Sequence, residues 1–187
     1  MQDPFKAVVI GASAGAVEAL SGILPFLSAG FPLPVVVVVH VPPDRRSIMA
    51  ELFQTKCVLS VTEAEDKQPL ERGTIYFSPP DYHLLVEVGG SLALANDEPV
   101  LFSRPSIDVL FESAADAYGP GLVAIVLSGA NSDGAQGLRA VVDAGGTAIV
   151  QDPSSSAAAA MPTAAIAMVP EAHIMPLAAI REFLGKI

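Results

Sequence analysis

A serine, a histidine and an aspartate each follow a Val/Ile-rich segment of this 187-residue chain. Ser13 lies in the small-residue run 11–15, His40 ends the apolar segment 35–40, and Asp133 lies in the loop 128–134 after a third such segment. In a Ser/His/Asp site the imidazole takes the hydroxyl proton, and the carboxylate fixes the tautomer of the imidazole. Glycines beside the serine permit a tight turn and expose backbone N–H groups that could stabilise an oxyanion. These residue types indicate nucleophilic catalysis, provided that the fold brings them together.

Short Val/Ile-rich segments alternate with helix-like segments along the chain, a pattern typical of a parallel sheet covered by helices. The predicted strands are residues 7–10, 35–40, 58–61, 122–127 and 147–150, and the predicted helices are residues 17–26, 47–56, 107–118, 135–144 and 177–185, with a short helix near 163–168. Between residues 74 and 94, three strand-like segments separated by Pro-Pro-Asp and Gly-Gly turns predict an antiparallel hairpin or meander. We therefore expect an α/β fold: a single doubly wound, mostly parallel sheet with helices on both faces plus a short antiparallel hairpin.

The carboxyl ends of parallel strands meet at one edge of an open α/β sheet, where ligands bind. Ser13, His40 and Asp133 all fall at this edge, although each has a structural alternative. Ser13 could cap the first helix, His40 could be a core histidine, and Asp133 could be a cap or turn residue. The small-residue run could also hold a dinucleotide, but it lacks the full G-x-G-x-x-G spacing and no acidic residue ends the second strand. Three complementary residues at three strand ends favour the catalytic interpretation.

Two further residues are candidates for contact with a substrate. Arg104 lies in a loop that enters a predicted helix, with Ser106 as a candidate N-cap, and is either an exposed charge or an anchor for a carboxylate. His83 follows the Pro-Pro-Asp turn and could line the site, although a surface strand position is the stronger expectation. No Cys/His pair or H-x-x-x-H spacing indicates a metal site, so we expect neither a metal nor a cofactor.

The composition excludes several classes of protein. Ten Lys and Arg against 20 Asp and Glu give a formal net charge of −10, which disfavours binding to nucleic acid or to an acidic membrane surface. With 51% apolar and 16% charged residues, disorder is excluded. No apolar stretch approaches the roughly 20 residues of a transmembrane helix. Residues 1–6 show no secretory signal and the single Cys57 fits a reducing compartment, so we expect a cytoplasmic protein without membrane insertion.

Eight motifs occur in order along nearly the whole chain. They are Ile10-Gly-Ala-Ser-Ala-Gly, His40-Val-Pro-Pro, Ala64-Glu-Asp-Lys-Gln-Pro-Leu, Gly73-Thr-Ile-Tyr-Phe-Ser-Pro-Pro-Asp-Tyr-His, Arg104-Pro-Ser-Ile-Asp-Val-Leu-Phe, Leu127-Ser-Gly-Ala-Asn-Ser-Asp-Gly, Ala144-Gly-Gly and Met161-Pro. Together they resemble the catalytic domain of the chemotaxis receptor protein-glutamate methylesterases (CheB type). The resemblance implies a serine esterase that hydrolyses glutamyl γ-methyl esters on the cytoplasmic helices of methyl-accepting chemoreceptors and releases methanol. Members of that family also deamidate receptor glutamines.

By position, the resemblance implies that Ser13 is the nucleophile, His40 the general base and then acid, and Asp133 the residue that orients His40. It places one oxyanion-hole N–H at Ala130, and we add the Ala14 N–H as a second candidate. Two loops depart from the family pattern. The chain has Ser-Ala-Gly-Ala at 13–16 where Ser-Thr-Gly-Gly is common, and Gly-Ala-Asn-Ser-Asp-Gly at 129–134 where Gly-Met-Gly-Asn-Asp-Gly is common. Two alternatives therefore stay open: a non-catalytic docking module of a chemosensory complex, and a small-molecule carboxylesterase.

The domain organisation also departs from the family pattern. The family is commonly fused to an N-terminal phosphorylatable receiver domain, whereas only residues 1–6 precede the first predicted strand. We expect residues 1–187 to form one catalytic domain without a receiver. Such an enzyme would be constitutively active or controlled by a separate regulator protein.

Overall fold

The computed structural model describes residues 4–187. These residues contain nine β-strands and six α-helices, together with three short 3₁₀ helices and the connecting loops. The strands are β1 (Ala7–Ala12), β2 (Val35–Val39), β3 (Ser60–Glu63), β4 (Thr74–Phe77), β5 (His83–Val86), β6 (Leu92–Ala95), β7 (Leu122–Val126), β8 (Thr147–Gln151) and β9 (His173–Met175). The helices are α1 (Ala16–Ser21), α2 (Met49–Gln54), α3 (Ile107–Tyr118), α4 (Ala135–Asp143), α5 (Ala160–Met168) and α6 (Leu177–Leu184). The predictions for residues 1–3 lie outside the described residues. No helix within 4–187 is both long and apolar enough to cross a membrane.

Seven strands form one parallel sheet in the order β3-β4-β2-β1-β7-β8-β9, while β5 and β6 pair with each other in antiparallel fashion. The central strand β1 has β2 on one side and β7 on the other. The chain therefore turns in opposite directions on the two sides of β1, which opens a crevice at the carboxyl ends of these strands. The predicted fold class is confirmed.

Alternate residues of the central strands pack into two separate cores. Val8 and Ile10 face the core covered by α1, α2 and α6, whereas Val9 faces the core covered by α3, α4, α5 and the hairpin. A strand buried on both faces needs an apolar side chain at every position. This is why β1, β2 and β7 are continuous apolar runs, fully buried along their length.

The antiparallel meander predicted for residues 74–94 is wrong in its first strand. β4 is fully buried and pairs in parallel with β2 and β3, so it belongs to the main sheet. Pro79 and Pro80 follow it, and because proline lacks an N–H the ladder ends there. Only β5 and β6 form the hairpin.

The first predicted helix, 17–26, is also interrupted. α1 ends at Ser21, and Leu24–Phe26 forms a separate 3₁₀ turn with Pro25 near its start. Proline at that point cannot donate the hydrogen bond that would continue the preceding helix. The break shortens α1 to the segment that follows the Ser13 turn.

Candidate active site

Three strand ends bring Ser13, His40 and the Asp133 loop to one edge of the sheet. The Ala12–Val39 pair ends the β1–β2 register, and the His40 N–H donates to the Ala12 carbonyl at 3.2 Å. On the other side of β1, the Ser13 N–H donates to the carbonyl of Ser128, which follows β7, at 2.9 Å. The residues after β1 are therefore held between the residues after β2 and those after β7, as the sequence predicts.

Asp133 is a buried carboxylate that binds the imidazole of His40. His40 Nε2 and Asp133 Oδ2 lie 2.7 Å apart, with side-chain exposures of 12% and 0%. Burial acts to raise the pKa of Asp133, but hydrogen bonds from His40 and from the Asp108 and Ile107 N–H groups outweigh it and hold that pKa below its ordinary value. An ionised carboxylate can only accept, so Nε2 carries the proton and Nδ1 is left with the basic lone pair.

The same carboxylate caps a neighbouring helix, α3. Asp133 Oδ2 accepts from the Ile107 N–H at 2.7 Å, and Oδ1 accepts from the Asp108 N–H at 3.0 Å and from Ser106 Oγ at 2.9 Å. A carboxylate at a helix N-terminus is stabilised by unpaired N–H groups and by the helix dipole. These contacts, with the bond to His40, fix the position of the carboxylate. The sequence offers capping and catalysis as alternative roles for Asp133. The structure shows that one carboxylate can do both, since it caps α3, which is not the adjacent helix α4, and also binds His40.

Asp108, in the first turn of α3, in turn caps the N-terminus of α4. Its Oδ1 accepts from the Gly134 N–H at 2.9 Å and from the Gly137 N–H at 2.7 Å. Burial raises the pKa of Asp108 to about 6, and the nearby Asp133 charge adds to the rise while the Gly137 and Gly134 N–H groups oppose it. Sequence reasoning missed Asp108. Its only signal is an acidic residue in the first turn of α3, a common position for a surface carboxylate.

Replacing Asp108 with asparagine should remove a pH-dependent loss of stability. A carboxyl whose pKa is higher in the folded than in the unfolded state binds more protons when folded, so the wild type loses stability as pH rises through the range of about 4 to 6. Asparagine keeps an acceptor for Gly134 and Gly137 but has no charge to bury. We expect the free energy of unfolding of Asp108→Asn, relative to the wild type, to rise between pH 4 and 7 in urea titrations.

Asp108→Ala is the matched variant for that experiment. It removes the acceptor as well as the charge, so it should show the same relative rise with pH on top of a pH-independent loss of about 1–3 kcal/mol. A difference between Asp108→Asn and the wild type that stays flat from pH 4 to 7 would contradict the assignment.

The Ser13 hydroxyl has no capping role. Gly15 is the N-cap of α1, and no side chain caps that helix. Among residues 4–187 no group hydrogen-bonds to Ser13 Oγ, so the hydroxyl is not held by another partner. Ala14 and Ala130 are exposed residues, and their N–H groups likewise have no backbone acceptor among residues 4–187. Their role in binding an oxyanion stays a prediction.

A buried serine that sequence reasoning missed, Ser128, holds the Ser13 turn in place. Ser128 Oγ donates to the Ala14 carbonyl at 2.7 Å and accepts from the Ala158 N–H at 2.9 Å. The Gly129 N–H donates to the Ala158 carbonyl at 3.0 Å, which ties the loops after β7 and β8 together. Partners so distant in sequence give no local signal.

Gly15→Ala should damage the Ser13 turn. Gly15 has a φ of +80°, and a Cβ there would lie 2.8 Å from both Ser128 Oγ and the Ala157 Cβ. Alanine would have to adopt a strained backbone and displace Ser128. We expect a loss of about 2–3 kcal/mol in the free energy of unfolding, measured by urea denaturation, and at least a roughly tenfold fall in the rate of any reaction at Ser13.

Gly89→Ala is the control for this substitution, since a Cβ at Gly89 meets no atom within 4 Å. Its effect on stability should stay within about 0.5 kcal/mol. Equal effects of the two substitutions would contradict the role of the close packing around Gly15.

An open cavity of about 460 Å³ lies beside His40, and Arg104 forms part of its wall. The Arg104 Nη2 and Nε atoms donate to Asp81 Oδ1 at 2.6 and 3.2 Å, and Nη1 donates to the carbonyls of Asn96 and Asp97, both at 3.1 Å. Arg104 therefore pairs with a carboxylate of the chain itself, and its contact with a substrate stays a prediction.

The expectation of a surface position for His83 is wrong. Its side chain is buried, the Ser106 N–H donates to its Nδ1 at 3.2 Å, and its Nε2 donates to the Glu98 carbonyl at 2.9 Å. Ser106 is the N-cap of α3, as predicted, and its hydroxyl accepts from the Val109 N–H. His83 does not line the cavity. It binds the Ser106 N–H, and the Ser106 hydroxyl binds Asp133, so His83 helps to position the carboxylate through Ser106.

The family model described as CheB methylesterase matches residues 8–184. The chain belongs to the CheB methylesterase family. A CheB-family protein of Leptospira interrogans is 41% identical over 183 residues, which is 98% of this chain and 95% of that protein. A Nocardioides protein named protein-glutamate methylesterase/protein-glutamine glutaminase is 39% identical over 175 residues, 92% of this chain but 48% of its own length. The crystal structure of the Thermotoga maritima CheB methylesterase catalytic domain superposes with a TM-score of 0.92 at 32% identity, covering 97% of this chain and 98% of that one. The predicted family is confirmed.

Proposed function

We propose that this chain is a serine esterase that hydrolyses glutamyl γ-methyl esters on the cytoplasmic helices of methyl-accepting chemoreceptors. The observation that carries the proposal is the 2.7 Å bond between His40 and the buried Asp133 at a strand end adjoining the Ser13 turn. Membership of the CheB methylesterase family supports the substrate class. The proposal includes action in the cytoplasm, where these receptor helices lie.

Acylation begins at the Ser13 hydroxyl. Its oxygen attacks the ester carbonyl carbon while His40 Nδ1 takes its proton, and the ionised Asp133 stabilises the imidazolium that forms. The carbonyl oxygen gains a negative charge, which the N–H groups of Ala14 and Ala130 stabilise. The tetrahedral intermediate then breaks its bond to the methoxy oxygen, which takes the proton from His40 and leaves as methanol. Ser13 remains joined to the glutamyl side chain as an ester.

Deacylation repeats these steps with water. His40 Nδ1 takes a proton from water, the resulting hydroxide oxygen attacks the acyl carbon, and the proton returns to Ser13 Oγ as it leaves. The products are the free enzyme and a glutamic acid side chain, which loses its proton to the solvent and becomes a carboxylate. A glutamine side chain can follow the same path, with ammonia leaving in place of methanol, and the glutaminase named in the relatives supports this second reaction.

Methanol release from a methylated chemoreceptor fragment tests the proposal. The wild type should release methanol, and Ser13→Ala should reduce release to the background rate because no other group replaces the nucleophile. Ser28→Ala removes a hydroxyl from an exposed loop and is the matched control, expected to release methanol like the wild type. Equal release by the wild type and Ser13→Ala would refute the mechanism.

A further inference from the structure

Two large apolar side chains stand exposed at the tip of a tight turn beside the catalytic cavity. In the turn formed by residues 100–103, the Val100 N–H donates to the Ser103 carbonyl at 3.0 Å and the Ser103 N–H donates to the Val100 carbonyl at 2.8 Å. The two residues between them, Leu101 and Phe102, are 48% and 103% exposed. We call this pair the apolar tip.

The apolar tip is unfavourable for the isolated molecule in two ways. Leu101 and Phe102 have φ values of +49° and +63°, in the left-handed region that disfavours residues with a Cβ. Two-residue turns with positive φ at both positions strongly favour Asn-Gly or similar pairs. The exposed leucine and phenylalanine also lose the free energy that burial would supply. Backbone strain of this kind is a reason to look for function.

The base of the turn is held firmly. Arg104 follows it directly and binds the carbonyls of Asn96 and Asp97 on the far side of the loop, as well as the Asp81 carboxylate. These hydrogen bonds hold in place the backbone that carries the apolar tip. A preordered apolar group loses less conformational entropy on binding than one on an unsupported loop.

The apolar tip separates two clefts. Phe102 lines the cavity beside His40, and Val41, Pro42 and Pro43 line the same cavity. Leu101 lines a second, shallower cleft of about 450 Å³, together with small residues of α4 and α5 and the partly exposed Met168. An apolar surface thus runs from the catalytic histidine across the tip to α5.

The charges around the catalytic cavity cancel. Asp81 and Arg104 both line it, and they pair with each other at 2.6 Å. A cavity without net charge suits a neutral ester and the apolar side chains near it better than it suits a free carboxylate. The surface is therefore complementary to the apolar face of a helix that carries an esterified glutamate.

We infer that the apolar tip docks against the apolar face of the substrate helix, on either side of the glutamyl ester, and so selects a helical protein substrate. This inference takes the identity of the bound helix from the proposed function. Phe102 fills the space beside the ester, and Leu101 contacts the next apolar residue along the same face. Small esters, which lack that face, can meet Phe102 in the cavity but have no group to contact Leu101.

The double variant Leu101→Asn/Phe102→Gly tests this inference, because it installs the residues that the turn prefers. The matched control is Val58→Asn, which removes a 70% exposed apolar side chain just before β3, at the opposite edge of the sheet. Binding to a methylated chemoreceptor fragment is measured by calorimetry, with Ser13→Ala added to every protein so that the ester survives. Turnover of an N-acyl glutamate γ-methyl ester is measured separately with Ser13 intact.

We expect the tip variant to bind the fragment about tenfold more weakly or worse, while Val58→Asn binds as tightly as the parent. Turnover of the small ester, which keeps only the neighbourhood of Phe102, should fall by a smaller factor than the affinity for the fragment, and the melting temperature should not fall. An unchanged Kd for the tip variant, an equal weakening by the control, or no binding of the fragment by the parent would each overturn the inference. A dimer that the tip substitution dissociates would also overturn it, since a second copy would then be the occupant.

Absence of methanol release from either substrate by the protein with Ser13 intact counts against the proposed function, whereas the docking inference is decided by the Kd values.

Discussion

Replacing His40 with alanine is expected to lower kcat for methyl-ester hydrolysis by at least about 10⁴-fold. Of the three histidines, His40 is the one that a strand end places beside the Ser13 turn, because His83 is buried against Ser106 and Glu98 and His173 lies in β9 at the sheet edge. Without that base the Ser13 hydroxyl keeps its proton and remains a weak nucleophile. Asp133 retains three other donors, so the fold should persist.

His173→Ala is the matched control, because it removes an exposed imidazole from the same sheet. Its kcat should stay within about twofold of the wild type. Steady-state kinetics on the methylated fragment and circular dichroism of each variant complete the measurement. A His40→Ala enzyme that is folded and retains more than about a tenth of the wild-type kcat would rule out His40 as the base.

Replacing Asp133 with asparagine should have the second largest effect, and we expect kcat to fall by about 10³- to 10⁴-fold. If the amide NH₂ takes the place of Oδ2, it faces both His40 Nε2 and the Ile107 N–H, and it favours the tautomer that places the proton on Nδ1. If it takes the place of Oδ1, it faces the Asp108 N–H, and the imidazolium loses its counter-charge. Either arrangement leaves one N–H of α3 without its acceptor, at a cost of about 1–3 kcal/mol in stability.

Asp143→Asn controls for the loss of a carboxylate, since Asp143 is exposed and pairs with Arg139 within α4. It should change kcat by less than about twofold and stability by less than about 1 kcal/mol. Kinetics and urea denaturation of both variants give the comparison. Loss of stability in Asp133→Asn without loss of kcat would mean that the carboxylate only caps α3.

The positions of Ser13, His40 and Asp133 could be predicted because parallel sheets obey simple rules. A strand buried on both faces is a continuous apolar run, and its carboxyl end lies at the binding edge whatever the order of the strands. The polar residue that ends each run is therefore placed without knowledge of the side-chain contacts. The choice between catalysis and capping could not be made this way, and for Asp133 the structure shows that one carboxylate both binds His40 and caps α3.

Asp108, Ser128 and His83 could not be predicted because their partners are distant in sequence. Asp108 binds N–H groups 26 and 29 residues away, and Ser128 binds the Ala14 carbonyl across 114 residues. Local sequence shows only an acidic residue in a first helical turn and a serine after a strand. The pairing of β4 was missed for a related reason: a Pro-Pro-Asp segment can end a strand as readily as it can begin a hairpin, and only tertiary pairing distinguishes the two.

Labelling with a serine-directed phosphonate probe tests most directly whether Ser13 and His40 form one nucleophilic unit. Peptide mapping by mass spectrometry identifies the labelled residue, and the rate of labelling is compared between the wild type and His40→Ala. We predict a single adduct on Ser13 in the wild type, and a labelling rate at least about 10³-fold lower in His40→Ala. Labelling of another serine, or labelling of Ser13 at the same rate in both proteins, would contradict the proposed catalytic site.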